Sequence, residues 1–267
     1  MIIDSHVHIT AEGIMEAYEG TELLRFDMRP ETLMTGMDAD GINKAIVCGV
    51  PFKKDTNDFV AQVVSQYPQR LIGFANVNPN DGAQAVVELE RAIKILGLRG
   101  LKLDPVSQGF YPHDPSVYSL VKKAAELRVP VAIHSGFSEF GLLKHGLPIH
   151  LDELARAVPQ ATILMLHSGG ASWGRLPHLA EQGLMVAMKN ANVFLETSFT
   201  ETDTVIEALK ILGSERLIFG SDFPFNRPGL ELQRIRRVRW MFPGLLNNDG
   251  LDRVLGKNMG RILGLTE

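Results

Sequence analysis

Short apolar runs recur along the chain, each followed by a stretch whose apolar residues repeat at helical spacing. The runs are Ile2–Ile9, Lys44–Val50, Leu71–Val77, Leu98–Leu103, Val129–His134, Thr162–His167, Val193–Thr197 and Arg216–Gly220. They are rich in leucine and β-branched residues, which predicts strands buried on both faces, the habit of parallel sheets. The segments between them carry helix punctuation. Pro30 suits a first helical position and Gly41 a helix end. Asn80 or Asp81 caps a helix in "NDGAQAVVELERAIKILG" that ends at Gly97, with Val86, Leu89, Ile93 and Leu96 on one face. Asp114-Pro115 opens another, and "LDRVLGKNMGRILGL" predicts a C-terminal helix with apolar positions at Leu251, Val254, Leu255, Met259, Ile262 and Leu263. The segment Thr10–Arg29 has weak helical character and is a candidate lid.

Eight strand–helix units in 267 residues match an α/β fold of the (β/α)8 TIM-barrel type, a single domain over residues 1–267. A doubly wound open sheet is the alternative. It usually places a glycine-rich phosphate turn after the first strand, and "DSHVHIT" contains no glycine.

Composition narrows the partners. The formal net charge is −4 and the pI about 6.1, which leaves no basic footprint for nucleic acid. The cluster Arg234–Arg239, "RIRRVR", reads as one solvated helix face. The lone cysteine, Cys48, excludes an internal disulfide and reads as a small buried hydrophobe. No apolar stretch approaches the ~20 residues that cross a bilayer, and no basic-then-apolar leader opens the chain. The expectation is a cytoplasmic protein acting on a small molecule.

Active sites of such barrels lie at the C-terminal ends of the strands. The first run ends in His6 and His8, the fourth in Lys102 and Asp104, the fifth in His134, the sixth in His167 and the eighth in Asp222. Residues i and i+2 of a strand share a face, so His6 and His8 point the same way. Imidazole nitrogen and carboxylate oxygen are ligands for a catalytic divalent metal that activates water, and Asp222 is acidic enough to move a proton. His113, His145, His150 and His178 read as surface residues, with His113 and His145 able to edge a pocket. Trp173, after "HSGGAS", is a candidate pocket wall, and Arg25 a candidate for a substrate carboxylate.

The ordered motifs "DSHVHI", "AIHSG", "LHSGG" and "FGSDFPF" resemble the amidohydrolase superfamily. More narrowly, "LIGFANVNP", "GLRGLKLDP", "RLIFGSDFPF" and "NMGRILGL" resemble the amidohydrolase-2 family, which includes aminocarboxymuconate-semialdehyde decarboxylase relatives. The resemblance covers essentially the whole chain. It implies one divalent metal, zinc first and manganese second, held by His6, His8, His134 and Asp222. His167 would bond the metal's water or the substrate, and Asp222 would shuttle the proton. Lys102 would line the pocket and pair with a substrate carboxylate. Carbamylated, it would bridge a binuclear site. A homodimer is a further expectation from the resemblance.

Four functions are weighed. Hydrolysis of an amide, ester or lactone bond in a small carboxylated molecule comes first, and non-oxidative decarboxylation is the alternative. A TatD-type nuclease also begins with H-x-H, but it carries a glutamate on strand four, where this chain has "GLKLDP". A non-catalytic binding barrel would lack a ligand, and none is missing.

Overall fold

The computed structural model describes residues 1–16, 25–51, 57–138, 141–170 and 177–265. The strands, in chain order, are β1 (Ile3–His8), β2 (Ile14–Glu16), β3 (Arg25–Asp27), β4 (Lys44–Cys48), β5 (Leu71–Gly73), β6 (Ala75–Asn76), β7 (Leu101–Leu103), β8 (Val131–Ile133), β9 (Ile163–Met165), β10 (Val193–Glu196) and β11 (Leu217–Ile218). All eight predicted runs contain strand, and the third is divided at Phe74 into β5 and β6. Parallel pairing runs β1–β4–β5 and then β6 to β11 in order. Phe74 keeps the divided strand in the wall, because its N–H donates to the Val47 carbonyl.

The wall closes on itself. The Ser5 N–H donates to the Phe219 carbonyl, the Asp222 N–H to that of His6, and the His8 N–H to that of Phe223. A (β/α)8 barrel results. Its outer helices are Pro30–Asp40, Asn57–Gln66, Ala83–Lys94, Pro115–Glu126, His150–Ala157, Pro177–Lys189, Thr202–Leu212 and Pro228–Met241.

Strand alternation sorts the apolar residues into two shells. Val7, Val47, Leu101, Leu103, Val131, Ile133, Ile163 and Leu195 pack beneath the helices. Ile3, Ile46, Ile72, Phe74, Ala132, Leu164, Phe194 and Ile218 fill the interior, with Met259 and Leu263 from the C-terminal segment below them. Ile3 and His6 are an odd number of residues apart, so a regular strand would turn them to opposite faces. A register shift between Asp4 and Val7 resets the phase and lets Ile3 fill the interior while His6 and His8 reach its mouth.

Several local expectations are corrected. The described parts of Thr10–Arg29 are an antiparallel β2–β3 ladder, not helix. Met15 and Met28 are buried against Val50 there, beside Phe26 and Phe225, and that packing outweighs weak helical periodicity. Residues 17–24 of the proposed lid lie outside the described residues. Asn78, not Asn80 or Asp81, caps the turn that leads into Ala83–Lys94. Arg234 is not part of a solvated face. It pairs with Glu231 and donates to the Thr197 and Thr200 carbonyls. The C-terminal helix opens into a π turn at Arg253–Lys257, where the Val254 carbonyl accepts from the Phe219 N–H. Cys48 is buried, as expected. Among the described residues, no helix is long and apolar enough to cross a membrane.

Helix Pro177–Lys189 packs so closely beneath the His167 turn that a Cβ on Gly183 would stand 2.2 Å from the Ser168 carbonyl oxygen. Alanine at a helical glycine gains up to about 1 kcal/mol of propensity, but overpacking costs about 1–3 kcal/mol. Gly183→Ala therefore lowers the urea midpoint, and an unchanged or raised midpoint would contradict this packing.

Candidate metal centre

The C-terminal mouth of the barrel gathers His6, His8, His134, His167, Asp222 and Lys102, all of them buried. His6 and His8 come from one face of β1. The His8 Nε2 lies 3.1 Å from the His6 Nε2, and the Asp222 Oδ1 lies 3.3 Å from the first ring and 3.2 Å from the second. These three atoms form a nearly equilateral triangle. Tetrahedral donors about 2 Å from a zinc ion stand roughly 3.3 Å apart, so one face of such a site already has its spacing. His6, His167 and Asp222 also offer donor atoms within 4.8 Å of one another. The His167 Nε2 lies 3.2 Å from the His134 Nδ1, and the buried His134 Nε2 has no hydrogen-bond partner. This nitrogen- and oxygen-rich set fits a divalent transition metal.

Local backbone conformation aims these groups. Asp222 has φ 64°, His167 φ 59° and Ser168 φ 49°, a left-handed region in which non-glycine residues cost about 1–3 kcal/mol each. Asp222 is held there by its N–H bond to the His6 carbonyl. One residue earlier, the Ser221 N–H donates to the Asp4 carboxylate at 2.9 Å.

Burial sets the charge states. It pushes the His6 and His167 imidazoles well below the usual histidine range, with Lys102 and neighbouring histidines adding to the effect. Burial likewise takes His134 down to about 4, against the pull of Asp104 and with the push of Lys102. Neutral rings are the form that binds metal. Burial alone would raise Asp104, but its interactions with His134 and Lys102, together with its hydrogen bond from the Ser107 N–H, outweigh burial and hold the carboxyl below its ordinary range.

Lys102 is 1% exposed on β7, at the inward position between outward Leu101 and Leu103. Among the described residues it forms no ion pair. Arg25 is exposed on β3 and is not brought to the cluster, while Trp173 lies outside the described residues. His178 is exposed, as expected. His145 is buried rather than at the surface. With His113 and His150 it surrounds the Tyr111 ring at centroid distances of 4.6, 5.1 and 5.2 Å respectively.

Sequence reading missed two buried carboxyls. Burial pushes both Asp4 and Glu196 up to about 7, against the hydrogen bonds they accept. Glu196 ends β10, and its Oε2 lies 3.6 Å from the His6 Nδ1. The signal for it was an acid closing the otherwise apolar run "VFLE".

The family model Amidohydro_2, described as amidohydrolase, matches residues 3–265. Among curated proteins, 2-keto-4-carboxy-3-hexenedioate hydratase of Sphingobium sp. is 26% identical over 65% of this chain and 58% of its own length. Gamma-resorcylate decarboxylase of Polaromonas sp. is 27% identical over 64% of this chain and 65% of its own. The chain thus spans under two thirds of the length of either relative. A structure of 5-carboxyvanillate decarboxylase from Novosphingobium aromaticivorans, with bound manganese and 3-methoxy-4-hydroxy-5-nitrobenzoic acid, has a TM-score of 0.77. It is 17% identical and covers 99% of this chain and 97% of that one.

Elemental analysis checks the metal centre. The purified protein is expected to carry about one equivalent of divalent transition metal per chain, and Asp222→Asn to lose most of it, since removing a ligand opens one corner of the triangle. Full metal content in Asp222→Asn would refute the centre as drawn.

Proposed function

Because the chain belongs to the amidohydrolase family, we propose that it is a metal-dependent decarboxylase that releases CO2 from a small hydroxylated aromatic acid without an oxidant. The observation that carries this reading is the dryness of the site. Lys102 and the imidazoles of His6, His8, His134 and His167 are all buried around Asp222. A carboxylate brought among them loses its hydration, and such a charge is costly in a dry interior. Its conversion to neutral CO2 removes that cost. The decarboxylase names of two relatives reported above support the same direction. Hydrolysis, the first expectation from the motifs, takes second place because two of the three relatives reported above are named decarboxylases and the third a hydratase.

His6, His8, His134 and Asp222 would hold the metal, which supplies Lewis-acid charge for the substrate oxygens. Zinc and manganese both suit these donors, and manganese is the ion recorded in the 5-carboxyvanillate decarboxylase structure. Asp222 then carries a proton to the ring carbon that bears the carboxylate. The C–C bond breaks, its electron pair returns to the ring, and CO2 leaves. Asp222 remains as a carboxylate and is reprotonated from water. His167, kept neutral, bonds a substrate hydroxyl. Lys102, without an ion-pair partner among the described residues, pairs with an anionic oxygen of the substrate. The small-molecule expectation is consistent with this chemistry.

The test is a panel of hydroxybenzoates and carboxylated lactones on the zinc- and manganese-loaded protein, following CO2 and proton release in parallel. CO2 with stoichiometric phenol is expected. Ring opening of a lactone without CO2 would restore the hydrolase reading. Lys102→Met serves as the second arm. It should lose about 10- to 100-fold in kcat/KM, the worth of a hydrogen bond to a charged group, while its Tm holds or rises, because an unpaired buried charge has been replaced by an apolar chain of similar size. A lower Tm with unchanged kcat/KM would make Lys102 structural.

A further inference from the structure

We infer that Glu196 is a positioning residue that fixes which nitrogen His6 turns to the metal and which nitrogen His167 turns to the substrate. Glu196 ends β10, separated from β1 only by β11, is fully buried and accepts on both oxygens. Its Oε1 takes the Ser198 N–H at 2.6 Å. Its Oε2 takes the His167 N–H at 3.0 Å and the Ser198 hydroxyl at 2.7 Å. The same Oε2 faces the His6 Nδ1 at 3.6 Å, on the far side of that ring from Asp222.

The consequence for His167 follows from counting protons. A serine hydroxyl has one hydrogen. With Glu196 ionised, the Ser198 hydroxyl gives it to the carboxylate, so toward the His167 Nδ1, 2.8 Å away, it acts as an acceptor. The His167 Nδ1 must therefore carry the ring proton. The neutral ring then presents a bare Nε2 lone pair to the cluster. His6 is governed by the same carboxylate without a relay. Its buried Nδ1 makes no hydrogen bond, and Glu196 is the acid it faces, which favours the ring proton on Nδ1 and leaves the Nε2 lone pair toward the His8 and Asp222 donors. One acid thus sets two rings, as carboxylates behind metal-binding histidines do.

The fold reserves room for this carboxylate. A Cβ on Gly220 would stand 2.3 Å from the Glu196 Oε1 and 3.0 Å from the Ser5 Oγ. The glycine in "FGSDF" is therefore required by Glu196, two residues before Asp222 in the chain.

This inference rests on the metal centre of the proposed function and not on the reaction. Its first readout accordingly needs neither metal nor substrate. The full chain, labelled with 15N-histidine and stripped of metal by a chelator, is read by long-range 1H–15N correlation, with the His167 signals assigned by loss in His167→Gln. The wild type should show a protonated Nδ1 and a bare Nε2 at His167. In Glu196→Gln the amide can donate to the Ser198 hydroxyl, which turns its hydrogen toward the His167 Nδ1, so the ring proton moves to Nε2. Affinity for Mn2+ alone, by competition with a chelator, should fall about 10- to 100-fold in this variant. Ser198→Ala keeps the carboxylate and removes the relay. It should release the His167 tautomer while leaving His6 as in the wild type, and it carries the test if Glu196→Gln does not fold. A wild-type His167 protonated on Nε2 overturns the inference. So do variants that lose thermal stability with unchanged tautomers and unchanged Mn2+ affinity, which would make Glu196 only a packing residue.

Discussion

Three backbone hydrogen bonds hold this molecule's chemistry in place. They join Ser5 to Phe219, Asp222 to His6 and His8 to Phe223, and they close the barrel between its first strand and the chain leaving its last. The middle bond runs from the Asp222 N–H to the carbonyl of His6 itself. Closure of the fold and assembly of the donor triangle are therefore one event. The left-handed backbone of Asp222 is tolerable for the same reason. The bond to His6, together with the neighbouring Ser221–Asp4 bond, over-determines a conformation that an isolated aspartate would leave.

Closure also creates an electrostatic problem that the surrounding residues solve. Four imidazoles, one ammonium and several carboxyls share a space with little water. Isolated charges there would be costly. His6, His134 and His167 avoid the cost by staying neutral, which is also the form that binds metal. Glu196 avoids it differently, by accepting hydrogen bonds from His167 and Ser198. Lys102 has neither solution among the described residues.

The parts of this arrangement differ in how legible they were. The eight strands could be read because buried parallel strands leave continuous apolar runs, and the runs end where the histidines stand. His6 and His8 could be placed on one face by spacing alone. What spacing could not reveal was the register shift between Asp4 and Val7, without which Ile3 and His6 could not both face inward. Glu196 escaped notice because period and composition mark it only as the polar end of a buried strand. Its importance depends on His6 and His167, which come from other turns of the chain. Arg25 and Arg234 failed in opposite senses. An arginine's charge does not say whether its long side chain faces solvent, as Arg25 does, or turns inward to carbonyls, as Arg234 does. The β2–β3 ladder was lost to a weak helical pattern because the apolar cluster that decides it, around Met15 and Met28, includes Val50 and Phe225 from distant segments.

The same reasoning bears on why the chemistry sits at this end of the barrel. The lower interior is filled by Ile3, Phe74, Phe194, Met259 and Leu263, a packed apolar plug. Inward positions farther along the strands change from apolar to ionisable: Ile3 to His6 and His8 on β1, Ala132 to His134 beyond β8, and Phe194 to Glu196 on β10. Each strand thus switches from core to site within about one pleat. Rigidity comes from the plug, and reactivity from the residues just above it. A donor set mounted this way loses little conformational freedom when it takes up a ligand, because its rings are already fixed by the strands that carry them.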